Sequence, residues 1–377
     1  MKQLLFDNLK NVAGWKTSRK IIVFSVDDYG NIRLNSKKAR ENLDKAGLKV
    51  LSRFDAYDTL ETRNDLEALY EVLSGVKDKN GNSAVFTPYT LPCNINFEAM
   101  AAKGNEYYIY ESLPETFNKL SLSDPQSYEG AWALWREGID KGLMKPQFHG
   151  REHFNLKVFE EKLKNKDKEL LINLQNRSYT SISSSGYSSI GYTAAFAFHK
   201  EEDYTELQSI LEDGTDQFEK VFGFRSDTFT PPAQQFPIKL LSILQKYGIK
   251  SIDIPFHHKV HLGENQYKLK VNVTGVDEKL NIVKIVRNVI FEPTHGNTDH
   301  VGHALKQIKA AFRWNKPAII SSHRVNYCGY IDENNRKKGL NALQKLLSQI
   351  VKVWPDVEFM SADELGKLIA LDQKKNV

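Results

Sequence analysis

The feature that most constrains the fold of this sequence is the alternation of short apolar runs with longer stretches of helical periodicity. The first run, Ile21 to Val26, is rich in β-branched residues and is followed at once by polar residues, as expected of a strand buried on both faces. Similar runs follow at Ser83 to Phe86, Ile249 to Ile254, Ile282 to Phe291 and Pro317 to Ser321. Strands that alternate with helices predict a mainly parallel sheet.

Helical periodicity lies near each of these runs. The predicted helices span Ser36 to Ala46, Leu66 to Leu73, Thr205 to Val221, Ile238 to Tyr247, Val301 to Phe312 and Gly339 to Val353. Periodicity alone leaves open whether the sheet closes into a barrel or stays open and doubly wound. Both arrangements carry their functional sites at the carboxyl ends of the strands, so residues directly after the apolar runs are the first candidates for chemistry.

The length of 377 residues fits one large α/β domain with insertions, so we predict a single domain over the full chain. Two segments, Asn94 to Gln126 and Arg177 to Gly191, are rich in Tyr, Ser and other turn-forming residues and are predicted to be long loops over a site. Tyr179, Tyr187 and Tyr192 could offer aromatic faces to a sugar ring, or could be ordinary loop tyrosines.

Charge and cysteine content exclude several classes of function. The 52 Lys and Arg residues against 47 Asp and Glu residues give a net charge of +5, too small and too dispersed to predict nucleic-acid binding. With only Cys93 and Cys328 a disulfide framework is excluded, and both are predicted to be packing thiols. Met1 to Lys20 contain no apolar stretch of signal-peptide length, and no run reaches the about 20 apolar residues of a membrane span, so we predict a cytoplasmic protein.

Two adjacent carboxylates, Asp27 and Asp28, end the first predicted strand. Neighbouring strand residues point in opposite directions, so one carboxylate can bind a metal while the other is turned towards another target. A strand-ending Asp is also common as a turn residue or an N-cap. The pair alone therefore does not assign chemistry.

Two histidines four residues apart occur in the segment His149-Gly-Arg-Glu-His153. At this spacing we expect them to share one face of a helical turn, from which both imidazoles can reach one ion. Phe148 and Phe154 flank them and would limit the access of solvent. The alternative is a polar surface turn.

A third histidine signal is His323, which follows the last apolar run. Its ordinary pKa of about 6.5 suits both halves of a proton transfer, although a purely structural histidine is the alternative. His295, His300 and His303 form another cluster, whose spacing could serve a metal or a loop that contacts substrate.

The order of these features resembles that of the polysaccharide deacetylases of carbohydrate esterase family 4. Ser25-Val-Asp-Asp-Tyr-Gly30 resembles the opening Asp-Asp motif, and His149-Gly-Arg-Glu-His153 resembles the two-histidine motif. Phe224-Arg225 with Pro231-Pro232 is similar to a loosened third motif, and Ile319 to His323 to the last, histidine-bearing one. The resemblance spans roughly residues 21–324.

This resemblance implies a distorted (β/α) barrel of about seven strands in an α/β fold. It also implies that Asp28, His149 and His153 bind a divalent metal. Two imidazoles and one carboxylate favour Zn²⁺ as that metal.

The resemblance further implies roles in catalysis for residues around the metal. Asp27 would be the general base, Arg225 would orient it, and His323 would be the general acid. Asp253 is the candidate for an acid that tunes His323. Ala233 is the candidate backbone donor to an oxyanion, because the two prolines before it lack N–H groups.

The predicted activity is the removal of N- or O-linked acetyl groups from an acetylated sugar or oligosaccharide. A deacetylase of the small chitooligosaccharide type would keep the chemistry and change only the substrate. A glycoside hydrolase on a related barrel would need two carboxyl groups about 5 to 9.5 Å apart and no metal. A catalytically inactive carbohydrate-binding protein is the third reading, and neither the sugar nor the oligomeric state follows from the sequence.

Overall fold

The strands of the described residues form one large, mainly parallel sheet and two small two-stranded sheets. The computed structural model describes residues 2–183, 191–264 and 266–375. The strands in chain order are β1 (Lys20–Tyr29), β2 (Phe86–Thr90), β3 (Cys93–Ile95), β4 (Tyr110–Ser112), β5 (Gln147–Phe148), β6 (Thr228–Phe229), β7 (Ser251–Pro255), β8 (His257–His261), β9 (Tyr267–Val271), β10 (Gly275–Asp277), β11 (Ile282–Arg287), β12 (Val289–Ile290), β13 (Ala318–His323) and β14 (Val357–Met360).

The large sheet has the order β10-β11-β7-β6-β5-β2-β1-β13-β12, and β14 also pairs with β1. All of these neighbours are parallel except β10 and β11. The prediction of a mainly parallel sheet in an α/β fold is therefore confirmed. The hydrogen-bonded path is open, with β10 and β12 at its two ends, so a closed barrel of about seven strands stays a prediction.

Asn288 is the single residue between β11 and β12. In the strand order of the sheet, β11 lies next to one end and β12 lies at the other end. β11 pairs with β7, whereas β12 pairs with β13. The Asn288 N–H donates to the carbonyl of Ile319 at 3.1 Å, and its Oδ1 accepts from the Ile319 N–H at 2.8 Å. Consecutive residues of the chain thus contact two strands that are far apart in the sheet order.

Each predicted helical stretch overlaps a helix of the structure. The helices are α1 (Lys2–Leu9), α2 (Lys37–Lys45), α3 (Arg53–Tyr57), α4 (Arg63–Ser74), α5 (Phe97–Ala102), α6 (Leu113–Ser123), α7 (Pro125–Tyr128), α8 (Ala131–Asp140), α9 (Leu156–Lys164), α10 (Lys168–Gln175), α11 (Tyr204–Phe222), α12 (Leu241–Lys246), α13 (His300–Arg313), α14 (Glu333–Val353) and α15 (Ala362–Lys375). Short 3₁₀ helices occupy Glu201–Asp203, Pro232–Gln234, Ile238–Leu240 and Arg324–Asn326.

Strand β1 separates two hydrophobic cores, as its unbroken apolar run predicts. Ile22, Phe24 and Val26 belong to the larger core, whereas Ile21 and Val23 pack in the smaller one, which includes residues of α15. Side chains alternate along a strand, so a strand with a core on each face must be apolar at every position. β1 therefore anchors the centre of the sheet and carries Asp27 and Asp28 at its carboxyl end.

Some sequence expectations for the fold need correction. The second strand begins at Phe86 and not at Ser83, whose only ladder contact is an isolated bridge. The segment 94–126 is not a long loop, because β4, α5 and α6 lie inside it. The two thiols are free and buried, as predicted. None of the helices that the structure describes is long and apolar enough to cross a membrane.

Candidate metal centre and the surrounding cavity

Strand β1 ends in an irregularity that brings Asp27 and Asp28 to the same cavity. The register between β1 and β2 shifts between Val26 and Tyr29. Asp28 has a φ of 77°, in the left-handed region that few non-glycine residues occupy but that Asp and Asn tolerate. Bulges of this kind bend a strand and re-aim its side chains. The two carboxylates still have different partners, as expected, with Asp28 beside the histidines and Asp27 bound by Arg287, but strict alternation along the strand does not hold.

His149 and His153 lie in the loop after β5 and not on a helical turn, which corrects the sequence expectation. Gly150 between them has a φ of 126°, a value no helix accommodates. The loop still directs both rings to one carboxylate. His149 Nε2 lies 3.4 Å and His153 Nε2 lies 3.0 Å from Asp28 Oδ1.

These three side chains have the donor atoms and the surroundings of a metal site. The ligand atoms of Asp28, His149 and His153 lie within 4.8 Å of one another, and no other such group occurs in the described part of the chain. His149 Nδ1 is 2.7 Å from the carbonyl oxygen of Thr230, which assigns the ring proton to Nδ1 and leaves Nε2 as an acceptor. Buried His149 Nε2 has no hydrogen-bond partner among the described residues. The set therefore fits a divalent transition metal.

The protonation states of the cluster suit metal ligation as well. Burial alone would raise the pKa of Asp28, but the proximity and hydrogen bonding of His153 hold it well below its ordinary value. Burial lowers the pKa of His153 to about 4, although Asp28 opposes this. Ligation requires an ionised carboxylate and a neutral imidazole, and both are the favoured states at neutral pH.

Asp27 is bound by Arg287, which sequence reasoning missed. Arg287 lies at the end of β11 and donates from Nη1 to Asp27 Oδ2 at 2.6 Å and from Nη2 to Oδ1 at 2.7 Å. Burial opposes the charge of Arg287, but Asp253 and Asp27 raise its pKa well above the ordinary value. The two buried side chains therefore form a bidentate ion pair.

Arg225 does not contact Asp27, so its predicted role is wrong. Its side chain is 55% exposed, and Nε is 2.9 Å from Glu219 Oε2 at the surface. Arg225 precedes β6, which begins at Thr228, and so lies at the amino end of a strand. The cavity lies at the carboxyl ends of the strands, and Arg287 is the last residue of β11.

Asp253 supports Arg287 and does not tune His323, which corrects a second expectation. This carboxylate in β7 accepts from Arg287 Nε and from the Ser25 hydroxyl, each at 2.5 Å, and from the Tyr89 hydroxyl at 2.9 Å. It is fully buried, and burial raises its pKa. Asp253 thus binds the same guanidinium that binds Asp27.

The partner of His323 is Glu292, a second residue that sequence reasoning missed. Its Oε1 is 2.7 Å from His323 Nδ1, while Oε2 is bound by Arg53 and by Asn326 Nδ2. Burial alone would lower the pKa of His323, but Glu292 raises it to about 9. Although burial opposes it, His323 in turn lowers the pKa of Glu292 to about 2. The second ring nitrogen, Nε2, is 3.8 Å from Asp27 Oδ2.

The candidate site residues Asp27, Asp28, His149, His153 and His323 all line one cavity of about 390 Å³. This volume lies within the range of small-ligand sites. The other lining residues are Arg33, Leu51, Ser52, Phe54, Asp55, Tyr179, Thr180, Ser181, Ile182, Tyr192, Thr193, Ala233 and Gln234.

Two of the three singled-out tyrosines, Tyr179 and Tyr192, border the cavity, and Tyr187 lies outside the described residues. Both pack against Phe154, with ring centroids 5.1 and 6.1 Å away. Ala233 borders the cavity with a φ of 51°. The second histidine cluster, His295, His300 and His303, does not line it.

Comparisons with known proteins place the chain among distant structural neighbours. No family model matches the sequence, and no curated protein matches it. A Parabacteroides distasonis protein assigned provisionally as a glycoside hydrolase/deacetylase is 10% identical, with a TM-score of 0.48 and coverage of 94% of this chain and 72% of that one. A Mycobacterium smegmatis protein assigned provisionally as a polysaccharide deacetylase is 11% identical, with a TM-score of 0.44 and coverage of 96% and 94%.

A third neighbour is a glucanotransferase. The 4-alpha-glucanotransferase of Thermococcus litoralis is 12% identical, with a TM-score of 0.43 and coverage of 92% of this chain and 40% of that one. This chain therefore spans less than half of that enzyme. At these identities the neighbours assign no activity to this chain.

Proposed function

We propose that this protein is a metal-dependent hydrolase that removes N- or O-linked acetyl groups from a carbohydrate. The observation that carries the proposal is the arrangement around one cavity. The buried cluster of Asp28, His149 and His153 lies beside an ion-paired carboxylate, Asp27, and a histidine of raised pKa, His323. A metal site, a base and an acid together are one arrangement that can hydrolyse an acyl bond. The motifs that resemble those of polysaccharide deacetylases agree with this reading.

The metal would be held by Asp28, His149 and His153, with Zn²⁺ favoured by the donor set. Such an ion supplies Lewis acidity at the acyl carbonyl and lowers the pKa of water beside it. Thr230 supports this role, because its carbonyl oxygen fixes the proton of His149 on Nδ1.

Asp27 is proposed as the general base. Arg287 binds both of its oxygens, so the orientation of the carboxylate is set before substrate binds. Asp27 would accept a proton from the attacking water as the water oxygen bonds to the acyl carbon. A positioned general base is worth about 10²- to 10⁴-fold in rate.

His323 is proposed as the general acid. Glu292 raises its pKa to about 9, so the imidazolium is the main form at neutral pH. Glu292 binds Nδ1, which leaves the Nε2 proton for the leaving group. That proton would pass to the departing nitrogen or oxygen as the acyl bond breaks, giving acetate and a free amine or alcohol.

The side chains around the cavity fit a glycoside hydrolase or an inactive carbohydrate-binding protein less well than a deacetylase. A glycosidase needs a carboxylic acid of raised pKa, whereas neighbouring histidines lower the pKa of Asp28 and Arg287 binds both oxygens of Asp27. A binding protein without activity has no use for the His323–Glu292 pair. Both alternatives are open to the same experiment.

The experiment combines metal analysis with product analysis. We expect about one divalent ion per chain after purification without chelator, and release of acetate from acetylated amino sugars or oligosaccharides. The same reactions are assayed for new reducing ends. New reducing ends without acetate would favour a glycosidase, and neither product from a broad substrate panel would favour the binding protein. Protein that carries no metal and takes up none on titration would refute the proposal.

A further inference from the structure

Arg33 is a buried arginine that faces the cavity and makes no side-chain hydrogen bond to the part of the chain that the structure describes. Its relative exposure is 7%, and it lines the cavity that contains the candidate metal cluster. The guanidinium lies 5.1 Å from the ring centroid of Phe54. Within the described ranges its side chain contacts one acid, Asp58, at 3.8 Å, which is beyond hydrogen-bonding distance.

The acids near Arg33 are only partly bound by other groups, because Asp58 Oδ2, the oxygen 3.8 Å from Arg33 Nη1, has no hydrogen-bond partner among the described residues. Asp58 Oδ1 accepts from Arg324 Nε at 3.1 Å and from Nη2 at 2.8 Å. Asp55 Oδ1 accepts from the Thr180 hydroxyl at 2.5 Å and from the Ser181 N–H at 3.0 Å. Among the described residues, the Arg33 guanidinium therefore makes one long ion pair, with Asp58, and no hydrogen bond.

Arg33 can offer its donors to a ligand, because the side chain lines the cavity and makes no hydrogen bond to a described residue. A hydrogen bond to a charged group contributes more to binding than one between neutral groups. Arg presents its donors in a planar fork that matches the oxygens of a carboxylate or a phosphate. Since Arg33 borders the cavity, a ligand anion can reach it there.

Phe54 relates this arginine to the proposed general acid. Its ring meets the His323 ring edge to face, with centroids 5.2 Å apart, and also lies against Arg33. One aromatic ring therefore separates the two cations. His323 faces the leaving part of the substrate in the proposed reaction, so Arg33 lies close to that same part.

We propose that Arg33 is a specificity-determining residue that binds an anionic group on the sugar from which the acetyl group is removed. The substrate class is then an acidic acetylated sugar, with a carboxylate or a phosphate ester about one sugar ring from the scissile bond. The placement on the leaving side rests on the proposed function, whereas the binding of an anion by Arg33 does not.

The first test measures binding without turnover. Calorimetry compares glucuronate with glucose, and glucosamine 6-phosphate with glucosamine, on the full chain. We expect the anionic member of at least one pair to bind more tightly, by about 10- to 100-fold, as a charged hydrogen-bonded contact would give. The two pairs distinguish a carboxylate from a phosphate. Equal affinities within both pairs would overturn the proposal whatever the enzyme activity is.

The second test asks whether Arg33 causes the preference. Arg33→Gln should abolish it, and Arg33→Lys should keep part of it because the charge remains while the planar fork is lost. Arg63→Gln is the matched control, because Arg63 is an exposed arginine paired with Glu67. A preference that survives in Arg33→Gln would assign the anion to another group, such as the metal, and would overturn the proposal. If Arg33→Gln does not fold, the comparison of Arg33→Lys with wild type decides.

Kinetics then separate specificity from a merely structural role. With N-acetylglucosamine, its 6-phosphate and N-acetylmuramic acid as substrates, Arg33→Gln should raise KM for the preferred anionic substrate by a larger factor than KM for the neutral sugar, whereas Arg63→Gln should change neither. Equal losses for charged and neutral substrates would mean that Arg33 only supports the fold. Absence of acetate from every substrate, with anion binding intact, would refute the proposed function and not the anion site.

Discussion

The guanidinium of Arg287 binds both carboxylate oxygens of Asp27, a residue 260 positions earlier in the chain. Arg287 Nε also binds Asp253 at 2.5 Å, so one cation compensates two buried carboxylates. Removing one partner of a buried ion pair typically costs about 3 to 5 kcal/mol, because an uncompensated charge stays buried. The same contact therefore supports the fold and orients the proposed base.

The contrast between Arg287 and Arg225 gives the first prediction. Arg287→Lys keeps the positive charge but cannot bind both oxygens of Asp27, so we expect kcat to fall by about 10- to 100-fold. Arg225→Lys, at the exposed position, should change neither kcat nor the melting temperature. Steady-state kinetics and thermal unfolding of the two variants check this. Wild-type kcat in Arg287→Lys would argue against the role of the pair.

Asp28→Asn should weaken metal binding with little effect on the backbone. Asn tolerates the left-handed conformation that Asp28 adopts at φ 77°, so the change removes the charge without adding strain. We expect lower metal content, and activity that partly returns when metal is added in excess. Metal analysis of Asp28→Asn and wild type, purified side by side, checks this. Full occupancy in the variant would place the metal elsewhere.

Asp27→Asn should lower activity without lowering the metal content. The metal should stay bound, because Asp27 is proposed to act on the proton of water, while kcat falls by about 10²- to 10⁴-fold. Added metal should not restore activity. The two adjacent variants thus test the division of roles: loss of metal from Asp27→Asn with retention in Asp28→Asn would reverse the assignment.

Glu292→Gln should move the basic limb of the pH–rate profile to lower pH. A general acid must be protonated, so activity falls as pH rises through its pKa. Glu292 raises the pKa of His323 to about 9 from an ordinary value of 6.5. Loss of the carboxylate should shift the limb towards 6.5, and the exposed Glu333→Gln serves as a control that leaves it in place. An unmoved limb in Glu292→Gln would separate His323 from that ionisation.

The same pair predicts a pH dependence of stability, measured by denaturant unfolding after the metal is removed with a chelator. The folded pKa of His323 is raised to about 9, so its contribution is complete below 6.5 and is lost as pH rises through about 9. The folded pKa of Glu292 is lowered to about 2, so its contribution is complete above 4.5 and is lost as pH falls through about 2. The stability difference between wild type and Glu292→Gln should therefore be largest between pH 4.5 and 6.5. A difference that does not vary with pH would contradict the ion pair.

The residues that the sequence predicted well are those that lie in short, continuous motifs. Asp28, His149 and His153 meet in the structure because Asp28 lies at the carboxyl end of β1 and the two histidines follow β5 of the same parallel sheet. The run Ile21 to Val26 indicated the first position, whereas the histidines were recognised from their motif and not from an apolar run. Ser36 was similarly predictable as the start of α2, since its side chain accepts from the Ala39 N–H.

The supporting residues could not be found in the same way. Arg287 and Glu292 lie within and directly after a run that was interpreted only as a buried strand. A charged residue inside such a run was the available signal, because it must be paired when it is buried. Its partner, Asp27, depends on the sheet order, which periodicity does not determine. The conformation around Gly150 was likewise hidden, since spacing of four residues is equally compatible with a loop.

Arg287 and Glu292 lie on either side of Asn288 and β12 in one short stretch of chain. The first contacts the proposed base and the second contacts the proposed acid, while Asn288 binds Ile319 of the neighbouring strand. The proposed base and the proposed acid are therefore both positioned by one stretch of backbone. A change that displaces this backbone, such as Asn288→Ala, should lower the activity on both limbs of the pH–rate profile together, whereas Glu292→Gln should move the basic limb alone.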